Sequence, residues 1–211
     1  MNYTRNKREL KSNRKKSVRV IGLTGGIASG KTVATSALRK AGYTVIDADE
    51  VSRALFAAGT DGEKSIMRAF PQASEGGKLD RKLLRRIIAT DGKARQMLNE
   101  LTHPAIVAEI KNQISTATPP VILSAPLLFE SALCSLCDVT ATIYCPRSVR
   151  VKRLTARDGM TEKDANALID AQIPDTERCT IADYIVPSDC EQKEFVSEVV
   201  ELVTEIVKEK G

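Results

Sequence analysis

The amino-acid sequence predicts an α/β fold: a mostly parallel sheet flanked by helices, with a helical insertion and a helical lid. Three observations point to it. Short apolar, β-branched segments recur at 18–24, 43–46, 120–125, 139–144 and 184–186, with helical patterns between them. A glycine-rich loop joins the first segment to the first helix. From 61 to 117 the alternation fails, and apolar residues repeat only at helical spacing.

Residues 18–24 read as a strand buried on both faces, because their apolar run does not alternate. Gly25-Gly26-Ile27-Ala28-Ser29-Gly30-Lys31-Thr32 follows, in the pattern G-x-x-x-x-G-K-T. Residues 33–41 then carry a helical pattern, and Gly42 stops it. Strand, glycine loop and helix are the setting a P-loop needs. Gly25 and Gly30 are expected to take backbone angles that a side chain forbids. The loop then turns its N–H groups inward as an anion nest, and the helix N-terminus adds its partial positive charge. Gly25, Gly26, Ile27, Ala28, Ser29, Gly30, Lys31, Thr32 and Val33 are therefore the expected nucleotide-binding residues. Lys31 is expected to reach the β- and γ-phosphates, and the Thr32 hydroxyl to bind Mg²⁺. The sheet is thus of the P-loop NTPase type.

Asp47 and Asp49 follow the second strand. A carboxylate there supports Mg²⁺ or accepts a proton from an attacking hydroxyl; alternatively, Asp49 is a helix N-cap. In the insertion, residues 82–88, 97–101 and 105–114 suggest helices. Thr102-His103-Pro104 interrupts them, since proline lacks an N–H and biases the residue before it away from the α region. A kink there would turn His103 toward the interior, as a structural residue or beside a ligand. Residues 120–125 return the chain to the sheet.

After the strand at 139–144, Pro146 opens a helix on which Arg150, Arg153 and Arg157 share one face. They form either a solvated basic stripe or a phosphate clamp. Thr161 caps a second helix, with Asp164 as its capping-box-like partner. This helix–turn–helix, about 146–178, is the expected lid.

The chain has 211 residues, enough for one sizeable core. No run of apolar residues is long enough for a membrane span. The net charge of +5 comes from the start. Arg5, Lys7, Arg8, Lys11, Arg14, Lys15 and Lys16 face a single acid, Glu9, within residues 1–17, leaving the rest close to neutral. That tail is expected to be a disordered, solvated extension whose deletion leaves activity intact, with no nucleic acid required. It leads directly into the first strand, leaving no room for a cleavable signal. The five cysteines are an odd number, which fits reduced thiols in a cytoplasm. Cys134 and Cys137 are spaced C-x-x-C but lack the second ligand pair of a zinc site.

Regulatory GTPases need a D-x-x-G switch, and no aspartate here has glycine three residues on. An ATPase assembly module would end its hydrophobic strand in an acid, where this chain has Ser124-Ala125. A small-molecule kinase fits best. In order, the stretches 23–32, Val45-Ile46-Asp47-Ala48-Asp49, Leu101-Thr102-His103-Pro104, Pro126-Leu127-Leu128-Phe129-Glu130, 153–159, Ala171-Gln172-Ile173-Pro174 and Ala182-Asp183-Tyr184 resemble the dephospho-CoA kinase family. The resemblance covers residues 20 to about 184. It implies ATP-dependent phosphorylation of the ribose 3′-hydroxyl of dephospho-CoA, the last step of coenzyme A synthesis, with ATP and Mg²⁺ and no membrane partner. By the same resemblance Asp49 is the general base, Lys31 and Thr32 are the phosphate and Mg²⁺ residues, and Arg153 and Arg157 are lid arginines that meet ATP. The insertion resembles the family's CoA-binding subdomain, with Asp47, His103 and Leu128 on the acceptor side. Two departures stand out. Ser124-Ala125 replaces a common acid before Pro126, leaving Asp47 and Asp49 to supply any carboxylate. Pro187-Ser188-Asp189 replaces an asparagine near the adenine loop. The implied domains are a tail, 1–17; a nucleotide-binding core, 18–60 and 118–211; and an acceptor subdomain, 61–117.

Overall fold

The computed structural model describes residues 3–6 and 18–210. The expectation of disorder falls, over 7–17, outside the described residues. The chain divides into two compact units, 1–46 with 117–211 and 47–116. The division falls at 46/47 rather than 60/61, so the helix after the second strand goes with the helical unit.

In the first unit, β2 (Val20–Gly25) is buried along its whole length. It lies between two parallel neighbours, β6 (Val121–Ser124) and β7 (Val139–Tyr144). β8 (Tyr184–Pro187) extends the sheet parallel to β7. β3 (Thr44–Asp47) lies beyond β6, and β1 (Thr4–Arg5) covers the opposite edge. The sheet order is β1-β8-β7-β2-β6-β3. The core on one face comes from α1 (Lys31–Lys40) and α9 (Gln192–Lys210), whose Phe195, Val199, Leu202, Val203 and Ile206 repeat at helical spacing. Gly22 is glycine for space: an added Cβ would stand 2.7 Å from Cys137 Sγ and 2.8 Å from Leu128.

β1 corrects the expectation that the whole tail is a solvated extension. It pairs antiparallel with β8. Asn6 donates from its side chain to the carbonyls of Cys179 and Ala182, 2.6 and 2.7 Å. Arg5 bonds Glu209 and lies over the Tyr184 ring. Two extended residues satisfy the outer hydrogen-bonding row of β8, so basic composition did not prevent them from adding to the sheet.

Three more helices follow β7 in this unit: α6 (Arg147–Asp158), α7 (Glu162–Asp170) and α8 (Asp175–Ile181). Thr161 caps α7 as expected, accepting from the Asp164 amide. Leu154, Ala165 and Ile169 join α6 to α7, and Ile27 and Ala28 of the glycine loop pack against them. The expected lid therefore grips the loop.

The second unit holds α2 (Ala48–Leu55), α3 (Asp61–Ala69), α4 (Arg81–Thr90) and α5 (Gly92–Thr116) around Phe56, Ile66, Phe70 and Leu84. Thr60 and Asp80 cap α3 and α4 through their side chains. Two expectations fail here. The region contains a strand pair, β4 (Ser74–Glu75) and β5 (Lys78–Leu79), joined by Gly76-Gly77 with both φ positive. And α5 runs through Pro104 without a break. Its 25-residue length and its packing outweigh one missing hydrogen bond, so His103 stays on the helix surface, exposed, instead of turning inward.

Candidate active site

The loop between β2 and α1 is shaped by space as much as by backbone angle. Gly30 has φ +106°, as expected, and serves as the N-cap of α1. Gly25 is not left-handed; its need is room, since a Cβ would stand 2.5 Å from Ser29 Oγ and 3.2 Å from the Ile143 carbonyl. The second left-handed residue is Ala28, φ 59°. A Cβ on Gly26 would press on the Arg150 guanidinium at 2.7–2.9 Å.

The carbonyls of residues 26–29 are each bonded. Gly26 O accepts from Ser29 N at 3.0 Å. Ile27 O accepts from Arg150 Nε at 2.8 Å, and Ala28 O from Arg153 Nη1 at 3.1 Å. Ser29 O accepts from the Ser188 hydroxyl, and Ser188 O from Arg153 Nη2. In a trans peptide the N–H points opposite the C=O. Pulling the carbonyls of Ile27 and Ser29 outward therefore aims the N–H groups of Ala28 and Gly30 the other way. No side chain caps the N-terminus of α1, so its first amides add to that donor set.

Arg150 is buried at 1% exposure. Its Nη1 bonds Asp175 at 2.5 Å, and Asp175 also accepts from Arg178 at 2.8 Å. Burial lowers the Arg150 pKa, opposed by the Asp175 charge. Gln172 Oε1 accepts from the Ile27 amide at 2.8 Å and from Arg150 Nη2 at 3.4 Å.

Lys31 Nζ donates to Ser124 Oγ at 2.9 Å, at the strand end that lacks the acid. Thr32 is exposed at the start of α1. Val33 packs its side chain on the sheet core. In the helical unit, Asp47 is the N-cap of α2, accepting from the amides of Asp49 and Glu50 at 3.0 and 3.3 Å. The alternative reading of Asp49 as that cap is thus corrected; Asp49 is an exposed first-turn residue. His103 lines a surface hollow of about 450 Å³ with Arg95, Asn99 and Glu100 on α5.

Two expected residues stand elsewhere. Leu128 is fully buried against Gly22, so its side chain cannot meet a substrate. Arg157 is exposed and paired with Asp158 at 2.7 Å, which raises its pKa. Sequence reasoning gave no role to Gln172, Asp175 or Ser188, and saw Arg150 only as part of a stripe. The one available signal was the three-residue spacing of Arg150 and Arg153, which places them on consecutive loop carbonyls.

Among the described residues no cluster of three or more His, Cys, Asp and Glu could cage a metal ion. Mg²⁺ on a triphosphate needs no cage, since phosphate oxygens and water supply most ligands. The exposed Thr32 hydroxyl at the loop's end fits one remaining place.

The family model for dephospho-CoA kinase matches residues 19–194. A dephospho-CoA kinase of Geobacillus kaustophilus is 39% identical over 172 residues, covering 79% of this chain and 86% of that one. Two solved structures share the fold along nearly their whole length. The dephospho-CoA kinase from Campylobacter jejuni has a TM-score of 0.69 and 27% identity, covering 91% of this chain and 98% of its own. TT1252 from Thermus thermophilus has a TM-score of 0.80 and 29% identity, covering 90% and 98%. No helix among the described residues is long and apolar enough to cross a membrane. Matched across both of its units, the chain belongs to the dephospho-CoA kinase family.

Proposed function

We infer that the chain transfers the γ-phosphoryl group of ATP to the ribose 3′-hydroxyl of dephospho-CoA, giving coenzyme A and ADP, the last step of coenzyme A synthesis. The observation that carries this reading is a loop whose carbonyls at residues 26–29 are bonded, three of the four by side chains outside it, in a chain that matches the family over residues 19–194. Such a loop offers N–H donors to phosphate oxygens and no competing carbonyl.

In this reading the acceptor O3′ attacks the γ-phosphorus and the bond to the β-phosphate oxygen breaks with ADP as leaving group. The hydroxyl proton passes to Asp49, which follows directly on β3; ligands of open α/β sheets bind at the carboxyl ends of the strands. Lys31 leaves Ser124 to place its charge on the transferring group, and the loop amides hold the rest of the triphosphate. Mg²⁺, held by the Thr32 hydroxyl and phosphate oxygens, would neutralise charge on the β- and γ-phosphates. Arg153 already holds the loop, and Arg157 must leave Asp158 to meet a phosphate. The unit 47–116 takes the acceptor, with His103 and Arg95 offering positive or hydrogen-bonding groups and Asp47 fixing the start of α2. The enzyme works in the cytoplasm, where its five thiols stay reduced, without nucleic acid or membrane.

The test is ATP consumption and product mass with dephospho-CoA beside a panel of nucleosides and nucleoside monophosphates. Dephospho-CoA alone should turn over and gain one phosphate. Slow hydrolysis independent of acceptor, or preference for another member of the panel, overturns the assignment.

A further inference from the structure

We infer that Arg150, held by Asp175, is a positioning residue for phosphoryl transfer: it sets the orientation of the Ile27–Ala28 peptide before ATP arrives. The inference rests on the loop's being the ATP site. The Ile27 carbonyl is bonded by Arg150 Nε, so the Ala28 N–H of the same peptide points to the opposite side. Ala28 sits at φ 59°, a conformation that costs a non-glycine residue energy and persists only when its surroundings hold it. Arg150 and Gln172 supply that hold from both ends of Ile27, one on its carbonyl and one on its amide. Without the guanidinium the Ile27–Ala28 peptide is free to rotate, and a carbonyl dipole turned inward repels the triphosphate.

The geometry also separates this role from simple stabilisation. Asp175 accepts from Arg178 as well, so removing Arg150 does not leave this half-buried carboxylate without a cation. Arg178 keeps Nε and Nη2 buried with no hydrogen-bond partner among the described residues, donors in reserve for that carboxylate. Asp175 keeps Arg178 and Gln172 keeps the Ile27 amide, whereas the Ile27 carbonyl loses the guanidinium that holds it. A lysine at 150 restores the charge but has one head group; it cannot bond Ile27 O with one nitrogen and Asp175 with another.

The full-length protein and three variants, Arg150→Met, Arg150→Lys and Asp175→Asn, test this. ATP binding is measured by titration without acceptor, dephospho-CoA binding by titration without nucleotide, and folding by thermal unfolding. Arg150→Met should weaken ATP binding about 10–100-fold, the loss expected for one charge-assisted hydrogen bond and the peptide it holds. Dephospho-CoA binding should change less than about two-fold, well under one such bond. Arg150→Lys should not restore ATP binding, whereas a purely electrostatic role would be rescued by it. Should Arg150→Met fail to fold, Asp175→Asn decides, since it leaves Arg150 in place with a weaker anchor and should weaken ATP binding alone. Unchanged ATP binding in a folded variant, equal losses for both ligands, or rescue by lysine overturns the inference. Because ATP binding is read without acceptor, wild-type failure on dephospho-CoA would overturn the proposed reaction and leave this comparison intact.

Discussion

Leu128 and Asp49 are both acid tests of what a residue's surroundings allow. Leu128 belongs to a family-like stretch, yet its side chain is sealed under Gly22. Leu128→Ala should cost about 2–5 kcal/mol, the range for truncating a buried leucine. Thermal unfolding reads the loss, and the KM for dephospho-CoA measured on folded enzyme should not move. Asp49 is exposed and does not cap its helix, so Asp49→Asn should leave stability and ATP binding unchanged. Turnover should fall roughly 10²–10⁴-fold, the usual worth of a positioned general base, and unchanged turnover would remove it from the chemistry. Cys137, beside Leu128, has its thiol pKa pushed up to about 12, chiefly by burial and then by the nearby Cys134 and Asp138. The unfolded thiol ionises near 9, so the folded state binds the extra proton between about 9 and 12 and loses stability as pH rises through that window. Thermal scans from pH 8 to 11 should show a smaller decline in Cys137→Ala than in the wild type. Lys31, Thr32 and the glycines were legible because phosphate chemistry demands those residue types in one short run. Arg150, Gln172, Asp175 and Ser188 were not, because bonding a loop carbonyl takes any donor from any distance along the chain.

At the scale of elements, periodicity located the five long strands and the helices α1, α4, α6 and α7 to within about two residues, since burial on a sheet or a helix face imposes a repeat, whereas α3, α8 and α9 were given no range. Elements too short to show a repeat escaped. The β4–β5 hairpin has two residues per strand, although Gly76-Gly77 carries the left-handed angles that a tight two-residue turn requires and was there to be read. The opposite error occurred in α5, where a local rule about proline was given more weight than a 25-residue helix packed on α2, α3 and α4. Pro104 therefore sits at a cost, roughly 3 kcal/mol in a helix interior. Pro104→Ala should raise the unfolding temperature, because it restores an amide to an intact helix. If the hollow beside His103 receives the acceptor, the same variant should raise the KM for dephospho-CoA and leave ATP binding alone. A variant that lowers stability would show that α5 depends on proline at that turn.

Across the whole sheet unit, β1 changes what the start of the chain is for. Charge composition marked residues 1–17 as solvent-exposed, but composition cannot register that β8 has an unpaired edge. Asn6→Ala removes two hydrogen bonds to the end of α8 and should cost about 1–3 kcal/mol. Deleting residues 1–6 should lower the unfolding temperature further, with kcat of the folded fraction unchanged, since β8 and β7 stand between β1 and the strand that leads into the glycine loop. An unchanged unfolding temperature would show that the pairing contributes nothing in solution. The register Thr4 to Ile185 has a further consequence for a chain made from one end. Thr4 and Arg5 leave the ribosome about 180 residues ahead of the strand they pair with. They wait unpaired while the rest of the sheet is synthesised, and loop closure over that span is slow. The pairing can form only once β8 is made, and until it forms a nascent chain presents β8 as an open edge to its neighbours.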